Sequence, residues 1–200
     1  MKIGPKYKIA RRLGAGVYEK TQTPKFAASE ARRGKKKSKP KALSGFGEQL
    51  LEKQKIRYSY GVTERQLSRY VKEAVASKEA NTPSLLFDRL ERRLDNAIYR
   101  MGIASTRALG RQMVSHGHIL VNGRRVTIPS YEVKKGDVVA IREGSKSSPL
   151  FQQLSEKLKT YQAPKWVTFN PGTLTGKVEG SPVYTQEFFN IDTVLEFYSR

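Results

Sequence analysis

The chain has 200 residues and carries 38 Lys+Arg against 18 Asp+Glu, a formal net charge of +20 with a pI near 10.2. Like charges in that excess oppose compaction, so composition points to a polyanionic partner, nucleic acid ahead of an anionic membrane surface. There is no cysteine, which excludes disulfides and thiolate zinc sites and fits a reducing compartment. No run approaches the roughly 20 apolar residues that span a bilayer, and the opening MKIGPKYKIARRLGAG has no apolar stretch of signal-peptide length. A soluble, intracellular protein with no membrane partner is therefore expected.

Residues 1–45 are polar and basic, and Gly14, Gly16, Pro24, Gly34 and Pro40 interrupt any periodicity. The run ARRGKKKSKPK, from Ala31 to Lys41, holds seven cationic side chains and no acid. It reads as an extended arm that orders against phosphate, with Arg11, Arg12, Arg32, Arg33, Lys35, Lys36, Lys37 and Lys39 as its contacts.

Leu50, Leu51 and Gln54 begin a short helix that carries Lys53, Lys55 and Arg57. Thr63 and Gln66 form a capping box, in which each side chain pairs with an orphan backbone N–H. Leu67, Tyr70, Val71, Ala74 and Val75 follow at helical spacing and predict one apolar face, leaving Arg65, Arg69 and Lys72 off it for RNA. Ser84 is expected to open a third helix, with Asp88 and Glu91 near its start. Phe87, Leu90, Leu94, Ile98 and Met101 stripe it as far as Gly102. Asp88 and Asp95 lie on one face and read as salt-bridge partners of Arg92 or Arg89.

Ser105 is expected to cap a fourth helix, 106–116, on which Arg107 and Arg111 share a face. Gly117 stops it. Ile119 to Val121 is a short strand, Asn122-Gly123 a type I′ turn, and Val126 to Ile128 the return. Tyr131 to Val133, a turn at Lys135-Gly136-Asp137, and Val138 to Arg142 complete a small antiparallel sheet. Pro149 suits the first turn of a further helix, 149–161, with Leu150, Phe151, Leu154, Leu158 and Tyr161 on one face. Pro164 to Phe169 is extended and 170–184 is loop-rich. The tail QEFFNIDTVLEFYSR packs back on the body as either helix or strand.

The stretch SHGHILVNGRRV holds both histidines. A zinc site needs about three protein ligands at the least, and His116 and His118 have no cysteine and no nearby acid to join them. Ser115 and His116 are adjacent on a helix and do not face each other, so they make no nucleophile–base pair. No phosphate-binding glycine loop or paired-carboxylate motif appears, and no cofactor, metal or catalytic residue is expected. The arginines give the better reading: Arg107, Arg111, Arg124 and Arg125, with Asn122, His116 and His118 beside them, can converge on a surface for RNA.

Five blocks in order carry a resemblance to a known family. They are SGFGEQLLEKQKIRYSYGVTERQ, RLDNAIYRMG, STRALGRQMVSHGHILVNGRRV, SYEVKKGDVVAIRE and the closing EFYSR. Together they resemble the bacterial type of the small-subunit ribosomal protein S-four family, in a cysteine-free form. The helix–hairpin block alone is also similar to a small RNA-binding module of some pseudouridine synthases, a tyrosyl-tRNA synthetase tail and a heat-shock protein. An RNA-modifying enzyme with that module as an appendage is the alternative reading, though fewer than about 60 residues remain after the module for a catalytic domain.

The resemblance implies a non-enzymatic, primary rRNA-binding protein. It implies binding to the 5′ domain of small-subunit rRNA, nucleation of assembly, and a cytoplasmic ribosomal place, with an organelle ribosome as the lesser alternative. That place lies beside proteins S-three and S-five, near the channel by which mRNA enters. The expected fold class is α+β: a mostly helical body with an inserted helix–helix–β-hairpin RNA-binding module and a basic extended N-terminal arm. The expected division is an arm at 1–45, a body at 46–87 and 145–200, and a module at 88–144.

Overall fold

Ten α-helices, three single-turn 3-10 helices and five strands form among the described residues, which are 4–32, 42–77, 81–152, 154–158, 161–185 and 188–199 of a computed structural model. In chain order the helices are α1 (Lys6–Leu13), α2 (Pro24–Arg32), α3 (Gly45–Tyr60), α4 (Glu64–Ala76), α5 (Thr82–Glu91), α6 (Leu94–Arg100), α7 (Arg107–Ser115), α8 (Pro149–Gln152), α9 (Leu154–Leu158) and α10 (Ile191–Tyr198). The strands are β1 (Ile119–Val121), β2 (Arg124–Arg125), β3 (Val138–Ile141), β4 (Val167–Asn170) and β5 (Thr175–Val178). Two compact units divide the chain, Met1–Leu86 with Thr185–Arg200, and Phe87–Tyr184.

In the first unit the N-terminal stretch is helical where described, not extended as expected. Ala10, Leu13, Val17, Tyr18 and Phe26 bury together, and the Tyr7 ring meets Phe26 edge-on at 5.1 Å. The interrupting glycines concealed a short apolar repeat, Ile9-Ala10 and Leu13, that suffices for two turns of helix. Arg33, Lys35, Lys36, Lys37 and Lys39 lie outside the described residues.

Ser44 caps α3 by accepting from the Gly47 N–H at 3.2 Å, so this helix begins earlier and runs longer than expected. The Thr63–Gln66 capping box forms in both directions. Leu67, Tyr70, Val71 and Ala74 bury as the spacing requires, but Val75 is 57% exposed.

The tail resolves as helix, with Asn190 accepting from the Thr193 N–H at its start. This helix, α10, docks along α3. Gln49 donates to Glu196 at 3.2 Å, and the Tyr198 hydroxyl donates to Glu64 at 2.6 Å.

The second unit is built on an antiparallel sheet of order β2-β1-β3-β5-β4. Residues expected to rejoin the body complete this sheet. β5 pairs with β3 through Val139↔Gly176, and β4 pairs with β5. Phe151, Leu154, Trp166, Val167 and Val178 then enter the same core as Ile98, Met101, Met113, Ile119 and Ile141. Residues 145–184 thus belong with the module; only Thr185 onward joins the first unit. The extended run expected at Pro164 to Phe169 gives β4, while β5, in the segment expected to be loop, is too short for its alternation to be read.

The single stripe expected from Phe87 to Met101 is two helices. Arg93 takes an extended conformation and bridges to Glu132. The N–H groups of Leu94 and Asp95 donate to the carbonyls of Tyr131 and Pro129, at 2.8 and 3.1 Å, and Val133 N–H donates to Arg92. A neighbouring loop therefore satisfies the donors that a continuous helix would have used. α7 starts one residue later than expected, with Thr106 rather than Ser105 accepting from the Leu109 N–H. In the hairpin return the strand covers Arg124–Arg125, with Val126 N–H still donating to the Ile119 carbonyl at 3.3 Å, and of the Tyr131–Val133 segment Glu132 makes a bridge.

Candidate nucleic-acid interface

α7 ends at Ser115 with His116 as its C-terminal cap, and Gly117 turns the chain with φ +72° into β1. The Arg125 guanidinium lies against Gly117, where a Cβ would collide with it. Arg125 Nη2 also donates to the His116 carbonyl at 3.4 Å. Asn122 and Gly123 both take positive φ, 49° and 76°, as a type I′ turn requires. The short return strand of this hairpin leaves Arg124 and Arg125 both exposed.

His118 accepts or donates at Nδ1 with the Ser145 hydroxyl at 2.9 Å, and its ring meets Phe151 edge-on. Burial lowers its pKa below the ordinary imidazole value, and the nearby His116, Arg142 and Arg125 lower it further. These four groups therefore form one basic cluster. Arg142 was not foreseen: it comes beside His118 because β3 pairs with β1, and its N–H donates to the His118 carbonyl. That pairing has no local signal in the sequence.

The other candidates divide sharply. Arg12, Arg32, Arg65 and Arg124 are exposed and join no ion pair among the described residues. Arg69 is 61% exposed with Glu73 at 3.6 Å, a pair that leaves it available to solvent. Arg11 is held by Glu30 and Ser29, and Lys55 by Glu52.

Lys53 is buried, with its ammonium 2.9 Å from Glu64 and 4.2 Å from the Phe197 ring centre. Arg57 pairs with the same Glu64 at 3.5 Å. Both cations are thus tied to Glu64 at the start of α4, and Lys53 also to Phe197 of the C-terminal helix. Asn122 likewise uses its side chain on the turn: Oδ1 accepts from the Val138 N–H and Nδ2 donates to Asp137, both at 2.9 Å.

Arg107 and Arg111 engage residues of α6 rather than the histidine cluster. Arg107 Nε donates to Asn96 at 2.8 Å, and its guanidinium lies 4.5 Å from the Tyr99 ring centre. Arg111 donates to Asp95 through Nε and Nη2, at 2.9 and 2.7 Å. As expected, Asp88 pairs with Arg92, at 2.6 Å; Arg89 pairs instead with Glu132 and Asp95 with Arg93. Among the described residues, no group of three or more His, Asp or Glu is placed to hold a metal ion, and no helix is long and apolar enough to cross a membrane.

A helix pair and a hairpin that carry exposed or pre-oriented arginines suit a polyanion, and the class they define is a nucleic-acid-binding protein. The model described as "Ribosomal protein S4/S9 N-terminal domain" matches residues 1–91, and that described as "S4 domain" matches 92–139. The protein named small ribosomal subunit protein uS4 from Aquifex aeolicus is 41% identical over 207 residues, covering 99% of this chain and 98% of its own. Its namesake from Roseiflexus castenholzii is 44% identical over 210 residues, with the same coverage. The chain belongs to the family of small ribosomal subunit protein uS4.

Proposed function

We propose that the protein is a structural, non-enzymatic constituent of the small ribosomal subunit that binds rRNA directly, within the cytoplasmic ribosome. The observation that carries this reading is the full-length relationship to proteins of that name. The exposed Arg12, Arg32, Arg65, Arg124 and Arg125 supply surface for phosphate. In finer detail, it binds the 5′ domain of small-subunit rRNA, nucleates assembly there, and lies beside proteins S-three and S-five near the channel by which mRNA enters. The basic stretch through Arg33, Lys35, Lys36, Lys37 and Lys39 is assigned to the same RNA.

Binding of the purified protein to a 5′-domain fragment and to bulk RNA, across a salt series, tests this. Preference for the fragment supports it, and equal affinity rejects the 5′-domain assignment. Footprinting on assembled subunits tests the neighbours: protection near S-three and S-five is the expected result.

A further inference from the structure

α1 and α3 flank an open cavity of about 320 Å³, at the lower end of the range of small-ligand pockets. Ile9 and Leu13 of α1 and Leu50 of α3 give it apolar walls, and Tyr58 adds an aromatic ring. Lys8 and Arg12, one turn apart on α1, also line it and are exposed. Neither joins an ion pair among the described residues, whereas the adjacent Arg11 is taken by Glu30. No acid lines the cavity.

Gln54 brings hydrogen-bonding groups to this cavity. Its Oε1 is buried and has no hydrogen-bond partner among the described residues, an unmet acceptor that weakens the fold. The terminal amide torsion is soft, so the carbonyl can turn toward a donor that enters the cavity, with the amide N–H groups beside it. Phosphate alone has no use for apolar walls or for an acceptor carbonyl. An apolar peptide side chain has no use for two cations without acid partners. An unstacked nucleobase on its sugar–phosphate chain uses all three. A carboxamide pairs through two bonds with a base whose amino donor sits beside a ring-nitrogen acceptor, N6 and N1 of adenine or N4 and N3 of cytosine.

We propose that the α1–α3 cavity takes an unstacked adenine or cytosine of the bound RNA, with Gln54 reading its Watson–Crick edge and Lys8 and Arg12 holding the flanking phosphates. This rests on the rRNA-binding reading above.

The test uses Gln54→Leu and Leu50→Trp in the full chain, neither of which changes the charge. Gln54→Leu removes the unmet carbonyl, so the free protein is expected to unfold at the same or a higher temperature. Its affinity for the 5′-domain fragment is expected to fall about tenfold. Leu50→Trp fills the cavity with an indole and is expected to lose a similar factor, read at a temperature where thermal unfolding shows it folded. A glutamine that only packs gives the stability gain with no loss of affinity. Dimethyl sulfate probing, which reads N1 of adenine and N3 of cytosine, tells the two bases apart. One such position on the fragment is expected to be protected by the parent and reactive with either variant. Affinity retained in folded variants overturns the proposal, and so does a loss of affinity with no protected base. A parent with no preference for the fragment overturns the 5′-domain reading instead, and the same comparison is then made on total small-subunit RNA.

Discussion

At the scale of single residues, the sequence shows the sign of each charge but not its partner. Lys53, Arg57, Arg107 and Arg111 look in the sequence like Arg124 and Arg125. The groups that engage them, the carboxylates of Glu64 and Asp95 and the amide of Asn96, become neighbours only through folding. The surface arginines of the hairpin were legible because a two-residue turn fixes where its flanks point.

For the same reason Arg124→Ala with Arg125→Ala is predicted to lower the salt slope of RNA binding by about 2, one for each phosphate no longer neutralised. Changing both histidines to alanine leaves the slope nearly unchanged at pH 7, because His118 is held neutral. The reverse order of effects contradicts the assignment.

His118 also supplies a titration test. Its folded pKa lies below that of the unfolded chain, so the unfolded state takes up the proton first as pH falls. His118 therefore subtracts stability progressively below the ordinary imidazole range. Bound phosphate beside Arg125 and Arg142 favours the imidazolium, and NMR titration is expected to show the pKa rising in the RNA complex. An unchanged value places the phosphate elsewhere.

At the scale of elements, two blocks far apart in sequence explain each other. The closing EFYSR and the stretch around Ser44–Gln66 meet where α10 lies along α3. Lys53, Arg57 and Tyr198 all engage Glu64. Burial alone raises the Glu64 pKa, but the Tyr198 hydroxyl, Lys53 and Arg57 outweigh it and the net shift is downward. A carboxylate with a lowered folded pKa stabilises the fold above its unfolded value, and that contribution is lost as pH falls through the folded value. Tyr198→Phe is expected to cost about 1 kcal/mol at neutral pH and to reduce the loss of stability in acid. Chemical denaturation at two pH values measures both.

A second feature at this scale is the close crossing of α6 and α7, where a Cβ on Gly110 would strike the Asp95 carbonyl. Gly110→Ala is predicted to destabilise by about 1–3 kcal/mol, read as a lowered unfolding midpoint. The capping box, the hairpin and α7 were legible because their signals are local. The helix break at Arg93, the strand β5 and the joining of β4 to the module's sheet were not, because loop carbonyls and the edge of β3 decide them.

At the scale of the whole molecule, the +20 net charge sets the partner class, and the full-length relationship sets the family. Charge of this size makes affinity for any RNA fall steeply with salt, since each phosphate neutralised releases counterions. Charge alone predicts no preference among RNAs; the fixed arginines of the helix pair and hairpin do. The most direct measurement is therefore the affinity for the small-subunit 5′-domain fragment and for bulk RNA of equal length, taken from low to high salt. The expected result is a steep fall for both, with the fragment bound more tightly at every salt and the ratio widening as nonspecific binding weakens. Coincident curves for the two RNAs would contradict a specific rRNA-binding surface.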